Sequence, residues 1–399
     1  MKKVKLLALA AAALVFASSC NDDEGTTTPP NNNGGDDEMV VTANISENTT
    51  WSSDKVYVLG GRITVLDGVT LTIEPGTVIK GQAGTGANAT ALLVARGGKL
   101  MAEGTADAPI IFTSVADEIM PSDVAAGNFA SPNLDPNING LWGGIIVLGK
   151  APISASNDNG DVSEVQIEGI PTSDANGLYG GSVADDNSGV LKYISIRHGG
   201  TNIGSGNEIN GLTMGGVGSG TTVENIEVVA NQDDGIEWFG GTVNVKNVVV
   251  WNCGDDGIDT DQAWAGTLDN FVVATVSGHS FELDGPEGSM NAGHKIMNGS
   301  VICSDADVTS QDLINTDDNS IVDLEKIYFT AVKSGQQINR VSAAGVTFTD
   351  IKINVDAADL ASHVNGDVPA GVSTGTTGYA DISGLGWTWA SKAGGLSGL

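Results

Sequence analysis

Carboxylates recur at a fixed spacing between residues 231 and 284. Superimposing three segments that begin at Val223, Val245 and Leu268 gives periods of 22 and 23 residues and aligns acidic side chains in columns. The columns are Asp233 and Asp255; Asp234, Asp256 and His279; and Glu237, Asp259 and Glu282, with Asp261 and Asp284 two residues after the last two. Stacked acids repel each other, so a proton, a divalent cation, solvent or a substrate must relieve the repulsion.

Two kinds of chemistry fit these columns, and simple hydration of the acids on an acidic surface is the third interpretation. Calcium prefers oxygen ligands, and paired carboxylates act as general acid and base on glycosidic bonds. The candidate calcium ligands are Glu237, Asp259, Asp261, Glu282 and Asp284. The candidate catalytic residues are Asp233, Asp255, Asp256 and His279.

Other side chains in or near these repeats are candidates for ligand contacts. Trp238, Trp251 and Trp264 each offer a flat apolar face on which a sugar ring can stack, with packing against a loop as the alternative. Arg197 and His198 form the best basic pair for a lyase reaction, with hydrogen bonds to turn carbonyls as the alternative.

The repeats predict the architecture that must position these residues. Short β-branched runs alternate with Gly, Asn and Asp clusters, which is typical of short strands and tight turns. A period in the low twenties predicts one turn of a solenoid, so we expect an all-β, right-handed parallel β-helix with coils of about 22–23 residues. Three asparagines and three apolar residues fall in register, which predicts an asparagine ladder and an inward-facing stack. They are Asn225, Asn247 and Asn270, and Ile236, Ile258 and Phe281.

The same pattern extends toward the N-terminus. Residues 63–81 and 92–114 align at Val65 with Val94 and at Leu71 with Leu100. Long polar stretches at about 116–140 and 154–189 predict loops that leave the coils. Residues 39–60 are predicted to cap the first coil. Residues from about 356 to 399 are predicted to form a C-terminal cap with Trp387 and Trp389 packed over the end.

The first forty residues indicate export. Residues 1–19 combine a lysine-rich start, an apolar run too short to span a bilayer and small residues before Cys20, which is typical of a lipoprotein signal peptide. Residues 20–40 are predicted to be a lipidated cysteine and a disordered acidic tether, and residues 41–399 the β-helix domain. The acids directly after Cys20 favour display on the cell surface, with a plain linker as the alternative.

Charge and cysteine usage limit the partners. The formal net charge of −31 repels nucleic acids and other polyanions, so neutral glycans and divalent cations are easier partners. Cys253 and Cys303 lie about two coils apart in the alignment, roughly 10 Å, so we expect no disulfide between them.

Several segments carry a resemblance to a known family. The segments TLTIEPGTVIKG, KLMAEGTADAPIIFTS, LWGGIIVLG, YISIRHGG and the DDGIE and DDGID coils resemble a family of Bacteroidota surface lipoproteins. The resemblance runs from about Trp51 to Trp389. It implies a pectate-lyase-like β-helix anchored to the outer membrane and exposed at the cell surface, and it implies no particular reaction.

A second, partial resemblance concerns the acidic coils. The order Asn231-Gln232-Asp233, Asp255-Asp256 and Gly278-His279-Ser280 is similar to the motif set of polygalacturonases. The resemblance implies that Asp256 is the general acid, that Asp233 and Asp255 activate water, and that His279 supports the site. Gln and Ser depart from that motif set, and the downstream Arg-Ile-Lys that holds a sugar carboxylate is missing.

Together these patterns favour a surface-anchored β-helix that binds glycans or other surface ligands, with calcium as the one cofactor that the acids suggest. An extracellular polysaccharide hydrolase or lyase and a structural spacer or adhesin are the alternatives.

Overall fold

A computed structural model describes residues 38–201 and 209–399. The predicted signal peptide, Cys20 and the tether up to residue 37 lie outside the described residues. Within the described ranges, no helix has the length and apolar character needed to cross a bilayer.

Most of the described chain forms short parallel strands, which are numbered in chain order. Sixteen described strands form one large sheet. They are β1 (Glu38–Val41), β2 (Thr49–Trp51), β3 (Val56–Leu59), β5 (Thr70–Ile73), β6 (Val78–Gly81), β8 (Lys99–Glu103), β9 (Ile110–Ser114), β15 (Gly189–Arg197), β17 (Thr222–Val229), β19 (Val245–Trp251), β21 (Thr267–Ala274), β23 (His294–Ile302), β25 (Ile321–Thr330), β26 (Gly345–Thr349), β27 (Ile351–Ile353) and β28 (Val372–Thr374).

A second, small sheet contains eight strands among the described residues. They are β4 (Arg62–Val65), β7 (Ala91–Val94), β10 (Ile145–Leu148), β16 (Leu212–Gly215), β18 (Ile236–Phe239), β20 (Ile258–Asp261), β22 (Phe281–Leu283) and β24 (Asn315–Thr316). The chain alternates between the two sheets, and each strand pairs in parallel with its equivalent one coil away. The predicted right-handed parallel β-helix is therefore confirmed.

The predicted register is also confirmed. Val223 pairs with Val245, and Val245 pairs with Leu268. In the N-terminal half, Val65 pairs with Val94 and Leu71 with Leu100. The apolar stack of the small sheet, at Ile236, Ile258 and Phe281, is fully buried in the main core.

The asparagine ladder marks the bend within three long strands of the large sheet, β17, β19 and β21. Asn225, Asn247 and Asn270 have φ values of 58°, 59° and 62°, a left-handed conformation that asparagine tolerates better than most residues. Asn247 Nδ2 donates to Asn225 Oδ1 at 3.1 Å, and Asn270 Nδ2 donates to Asn247 Oδ1 at 2.9 Å. The predicted ladder is confirmed, and it fixes how each coil turns between two faces.

The N-terminal residues form a coil rather than a separate cap. β1 pairs with β3, Ile45 bridges to Val65 of β4, and β2 pairs with β5. The first described residues therefore already form a coil whose strands and bridge pair with those of the next coil.

Both predicted insertions are ordered and pack against the coils. The second contains the hairpins β11 (Ala155–Asn157) with β12 (Gly160–Val162) and β13 (Val165–Gln166) with β14 (Leu178–Tyr179). Its Tyr179, together with Ile153 just before the insertion, packs with Leu93 and Ile146 on the outer face of the small sheet. The first insertion contains α1 (Pro121–Ala125). Short 3-10 turns lie at Gly86–Asn88, Ala175–Gly177 and Leu360–His363.

The predicted start of the C-terminal cap at about residue 356 is wrong, and so is the predicted position of Trp387 and Trp389 over the end of the stack. The coils continue beyond residue 356, because β28 still pairs with β27. The final segment, with α2 (Trp389–Ala393), then lies along the side of the β-helix: Trp389 packs on Val249 and Val272 of the large sheet. These outward aliphatic side chains provide the apolar surface that the final segment covers.

Cys253 and Cys303 are both free and buried. Cys253 follows β19 and Cys303 follows β23, and β21 lies between these strands. The intervening strand keeps the two sulfur atoms beyond disulfide reach.

Candidate functional site

Three acids form a column on the outer face of the small sheet. Glu237 of β18 pairs with Asp259 of β20, which pairs with Glu282 of β22. Because Ile236 and Ile258 point into the core and side chains alternate along a strand, these acids point outward, as the sequence predicted. Neighbouring rungs lie about 4.8 Å apart, so the carboxylates are close neighbours.

The interpretation of these acids as simply hydrated surface groups is wrong for two of them. Glu237 and Asp259 are only 5% and 8% exposed. The second insertion folds against the same face, where Tyr179 donates a 2.8 Å hydrogen bond to Gln262 Oε1. Burial removes the water that would otherwise screen the carboxylates from one another.

Few hydrogen-bond donors offset the negative charge of these three acids. Asn210 Nδ2 donates to Glu237 Oε2, and Asn315 Nδ2 donates to Glu282 Oε1 at 3.2 Å. Asp259 Oδ1 is buried and has no hydrogen-bond partner within the described ranges. One oxygen each from Asp234, Glu237 and Asp259 lies within 4.8 Å of the other two. Three converging carboxylates, one of them with an oxygen that accepts no hydrogen bond from the described residues, form a ligand set that suits a hard divalent cation.

Sequence reasoning missed Asn210 and Asn315 as contacts of the column. Both lie outside the three superimposed repeats. Their signal is the strand register: Asn315 pairs with Glu282, and Asn210 precedes β16, the strand that pairs with β18.

The electrostatics of the site follow from burial and like charge. Burial raises the pKa values of Asp234, Glu237 and Asp259 well above the ordinary range, and neighbouring acids raise them further. Glu168, on the insertion, is the largest charged contributor at Glu237. Burial and the adjacent Asp256 raise the pKa of Glu282 to about 8.

The second pair of predicted calcium ligands extends the acidic surface along the strands. Burial, with Asp284 and Glu287 nearby, raises the pKa of Asp261 to about 7. Burial and Asp317 raise the pKa of Asp284 to about 6. Both side chains are half-buried, so they border the column on its solvent side.

The four predicted catalytic residues lie together at the turns that lead into β18, β20 and β22. His279 Nδ1 is 3.3 Å from Asp256 Oδ1, and the backbone N–H of His279 donates to the same oxygen. Asp233 and Asp255 each place an oxygen within 4.8 Å of Asp234. The structure therefore forms one continuous acidic surface from the candidate catalytic group to the candidate calcium group.

The basic pair lies elsewhere, so its prediction as a lyase base beside the acids is wrong. Arg197 is fully buried on the large sheet, 3.8 Å from Glu227, with its Nε donating to Ser195 Oγ at 2.7 Å. Its guanidinium lies 5.0 Å from the centre of the Trp389 ring. His198 Nδ1 bonds to a turn carbonyl. The C-terminal segment covers this pair, which accounts for its isolation.

The predicted sugar-stacking role of the tryptophans is also wrong in this structure, because all three rings are buried. Trp238 and Trp264 lie inside the coils and stack at 4.6 Å, and Trp264 Nε1 donates to Val243 O at 3.0 Å. Trp251 packs edge-on against Trp389 on the large sheet. Large flat rings fill the coil interior and the contact with the C-terminal segment instead of facing solvent.

Fold and site together define a parallel β-helix with an acidic, partly buried column on its small sheet. Residues 43–127 and 129–382 match the model of the pectate-lyase like beta helix domain, and the chain belongs to that family. Comparisons with curated proteins and with solved structures give no match.

Proposed function

We propose that this protein is a lipid-anchored β-helix module that binds glycans at the cell surface through a calcium ion. The ion would be held by Asp234, Glu237 and Asp259, with Glu282, Asp261 and Asp284 beside it. Cys20 would carry the lipid and hold the domain to the outer membrane after removal of residues 1–19. The lipoprotein pattern of the first twenty residues supports this anchor.

The observation that carries the calcium site is the buried Asp259 Oδ1, which lacks a partner in the described structure. A buried charged oxygen without a partner is costly, and the neighbouring acids of the column add like charge. Calcium takes six to eight oxygen ligands, so three carboxylates leave positions for water or sugar hydroxyls.

The family and the shape of the site support a glycan as the ligand. The chain belongs to the pectate-lyase like beta helix domain family. Rungs about 4.8 Å apart give an extended polymer repeated contact positions along the stack. The net charge of −31 disfavours polyanions unless a bound cation offsets it locally, so neutral glycans are the preferred class.

Calcium calorimetry tests the first half of this proposal. The chain with Cys20→Ser is titrated with Ca²⁺ beside an added Asp259→Asn substitution. We expect saturable binding that Asp259→Asn weakens at least tenfold. Glu47→Gln, which removes an exposed acid on the first coil, is the matched control and should bind as the parent does. No calcium binding at millimolar concentration would reject the site.

A glycan array, probed with and without EDTA, tests the second half. Calcium-dependent signals that Asp259→Asn removes would support the proposal. A silent array with calcium bound would reject glycan binding while keeping the cation site. Release of reducing ends from a neutral polysaccharide, lost in Asp256→Asn, would replace a binding module with a hydrolase.

A further inference from the structure

His279 has surroundings unlike those of the other three histidines of the chain. Its ring is half-buried, and its Nδ1 faces two carboxylates, whereas His198, His294 and His363 are buried. His198 and His363 each direct Nδ1 at a backbone carbonyl. His279 is therefore the imidazole that solvent can reach beside acidic ligand atoms.

The separations around His279 match those between ligands of a small transition-metal ion. Nδ1 lies 3.4 Å from Asp256 Oδ2 and 3.8 Å from Glu282 Oε1. Zinc bonds of about 2.0–2.1 Å in tetrahedral geometry place ligand atoms roughly 3.3–3.4 Å apart. All three ligand atoms lie within 4.8 Å of one another, so a small side-chain adjustment closes the set.

The surrounding contacts hold two of the three groups in place. Asp256 Oδ1 accepts the backbone N–H of His279, which leaves Oδ2 facing the ring. The backbone N–H of Asp256 donates to Asp234 Oδ1 at 2.8 Å. The side-chain amide of Gln311 lies 3.1 Å from His279 Nε2. The atom at this distance is the amide nitrogen of Gln311. Rotation of the amide would place its oxygen there to accept Nε2–H and would leave the Nδ1 lone pair for a metal, the usual outer contact of a metal-bound histidine.

The charges around the ring favour a cation at this point. Asp256 Oδ1 and Glu282 Oε1 lie 3.3 Å and 3.8 Å from the ring nitrogen Nδ1. Glu282 is the most exposed of the three groups, with a third of its side chain open to solvent. An ion can therefore enter from the Glu282 side and keep a fourth position for water.

We propose that Asp256, His279 and Glu282 form a binding site for a divalent transition-metal ion of the zinc type. The nitrogen ligand separates this site from the all-oxygen calcium site at Asp234, Glu237 and Asp259, since imidazole suits zinc and calcium prefers oxygen. The two sites share the β20 coil, which contributes Asp256 to the zinc site and Asp259 to the calcium site. The zinc proposal does not depend on glycan binding.

Titration of ¹⁵N-histidine-labelled, tag-free Cys20→Ser chain with Zn²⁺ in excess Ca²⁺ tests the proposal directly. The four imidazoles give separate signals, and we expect the Nδ1 signal of His279 alone to shift, saturating at one equivalent. An unchanged His279 signal, or equal shifts of several histidines, would overturn the site. This measurement on the unsubstituted side chains needs no variant that must fold.

Zinc calorimetry on variants assigns the ligands. His279→Gln and Glu282→Gln should each weaken zinc binding at least 100-fold, and Gln311→Ala, which removes only the outer contact, about 10- to 100-fold. Glu47→Gln, which removes an exposed acid on the first coil, is the control and should stay within threefold. Unchanged zinc affinity in His279→Gln would reject the site. Calcium affinity retained in that variant would show that the calcium proposal stands independently.

Discussion

Asp259 and Glu282 lie opposite each other in register on β20 and β22, and His279 Nδ1 lies 3.8 Å from Glu282 Oε1. Burial and the charged form of Glu282 raise the pKa of Asp259, and burial raises the pKa of Glu282 to about 8. Folding of these coils is therefore coupled to protonation of the pair.

The stability of the chain without divalent ions should fall as the pH rises from 5.5 to 8.5. In the unfolded chain these acids titrate near pH 4, whereas the pKa of Asp261 is about 7 and that of Glu282 about 8 in the fold. Between these values the folded state holds more protons, so the stabilisation present at low pH is lost as the pH passes through 7 and 8. Thermal unfolding in EDTA measures this; a midpoint that stays constant or rises would contradict it.

Calcium should reverse that loss. The pKa values of Asp261 and Glu282 are about 7 and about 8, so raising the pH to 8.5 removes protons that compete with a cation. We therefore expect 5 mM Ca²⁺ to raise the unfolding midpoint more at pH 8.5 than at pH 5.5. Calorimetric titrations in buffers of different ionisation enthalpy should also detect proton release at pH 7. If calcium stabilised the protein equally at both pH values, calcium would not be bound by the buried acids of the column.

Asp259→Asn should stabilise the metal-free protein while abolishing its response to calcium. The substitution removes one like charge from between Glu237 and Glu282, so we expect a midpoint in EDTA at pH 8 that is about 2–4 °C higher, the effect of roughly 1 kcal/mol. Asp269→Asn is the control. It removes an acid that pairs with Lys246 at 3.4 Å, and it should lower the midpoint slightly and keep the calcium response. If Asp259→Asn lowered the midpoint in EDTA, the Asp259 carboxylate would already have stabilising partners in the metal-free protein.

Asn247→Ala should destabilise the fold by about 2–4 kcal/mol. Asn247 both donates and accepts in the ladder, at 3.1 Å and 2.9 Å, and alanine loses two bonds worth about 1 kcal/mol each and adds strain at φ 59°. Denaturant unfolding measures the change. Lys246→Ala, on the adjacent exposed residue, should change stability by less than about 1 kcal/mol. Equal effects of the two substitutions would reject a structural role for the ladder.

The parts of the structure that repeat were predictable, because each coil presents the same local pattern to its neighbours. Asn225, Asn247 and the partners of Asp259 were all placed in register from spacing alone. Contacts that occur once were not predictable: the insertion that buries Glu237 and the C-terminal segment that covers Arg197 repeat nowhere. The repeat spacing in the sequence predicts which way a side chain points. Its exposure depends on which other segment packs over it, and the spacing does not predict that.

Trp389→Ala should release the C-terminal segment from the large sheet and leave the coils folded. Trp389 packs on Val249, lies over Arg197, and precedes Ala390, whose backbone N–H donates to the buried Glu227 at 2.9 Å. Loss of a buried tryptophan costs about 3–5 kcal/mol locally. Limited proteolysis should then cut the segment after residue 375 while circular dichroism keeps its strand signal. Lys392→Ala, on the same helix but exposed, should resist cleavage as the parent does. Collapse of the whole strand signal in Trp389→Ala would instead make the segment part of the cooperative core.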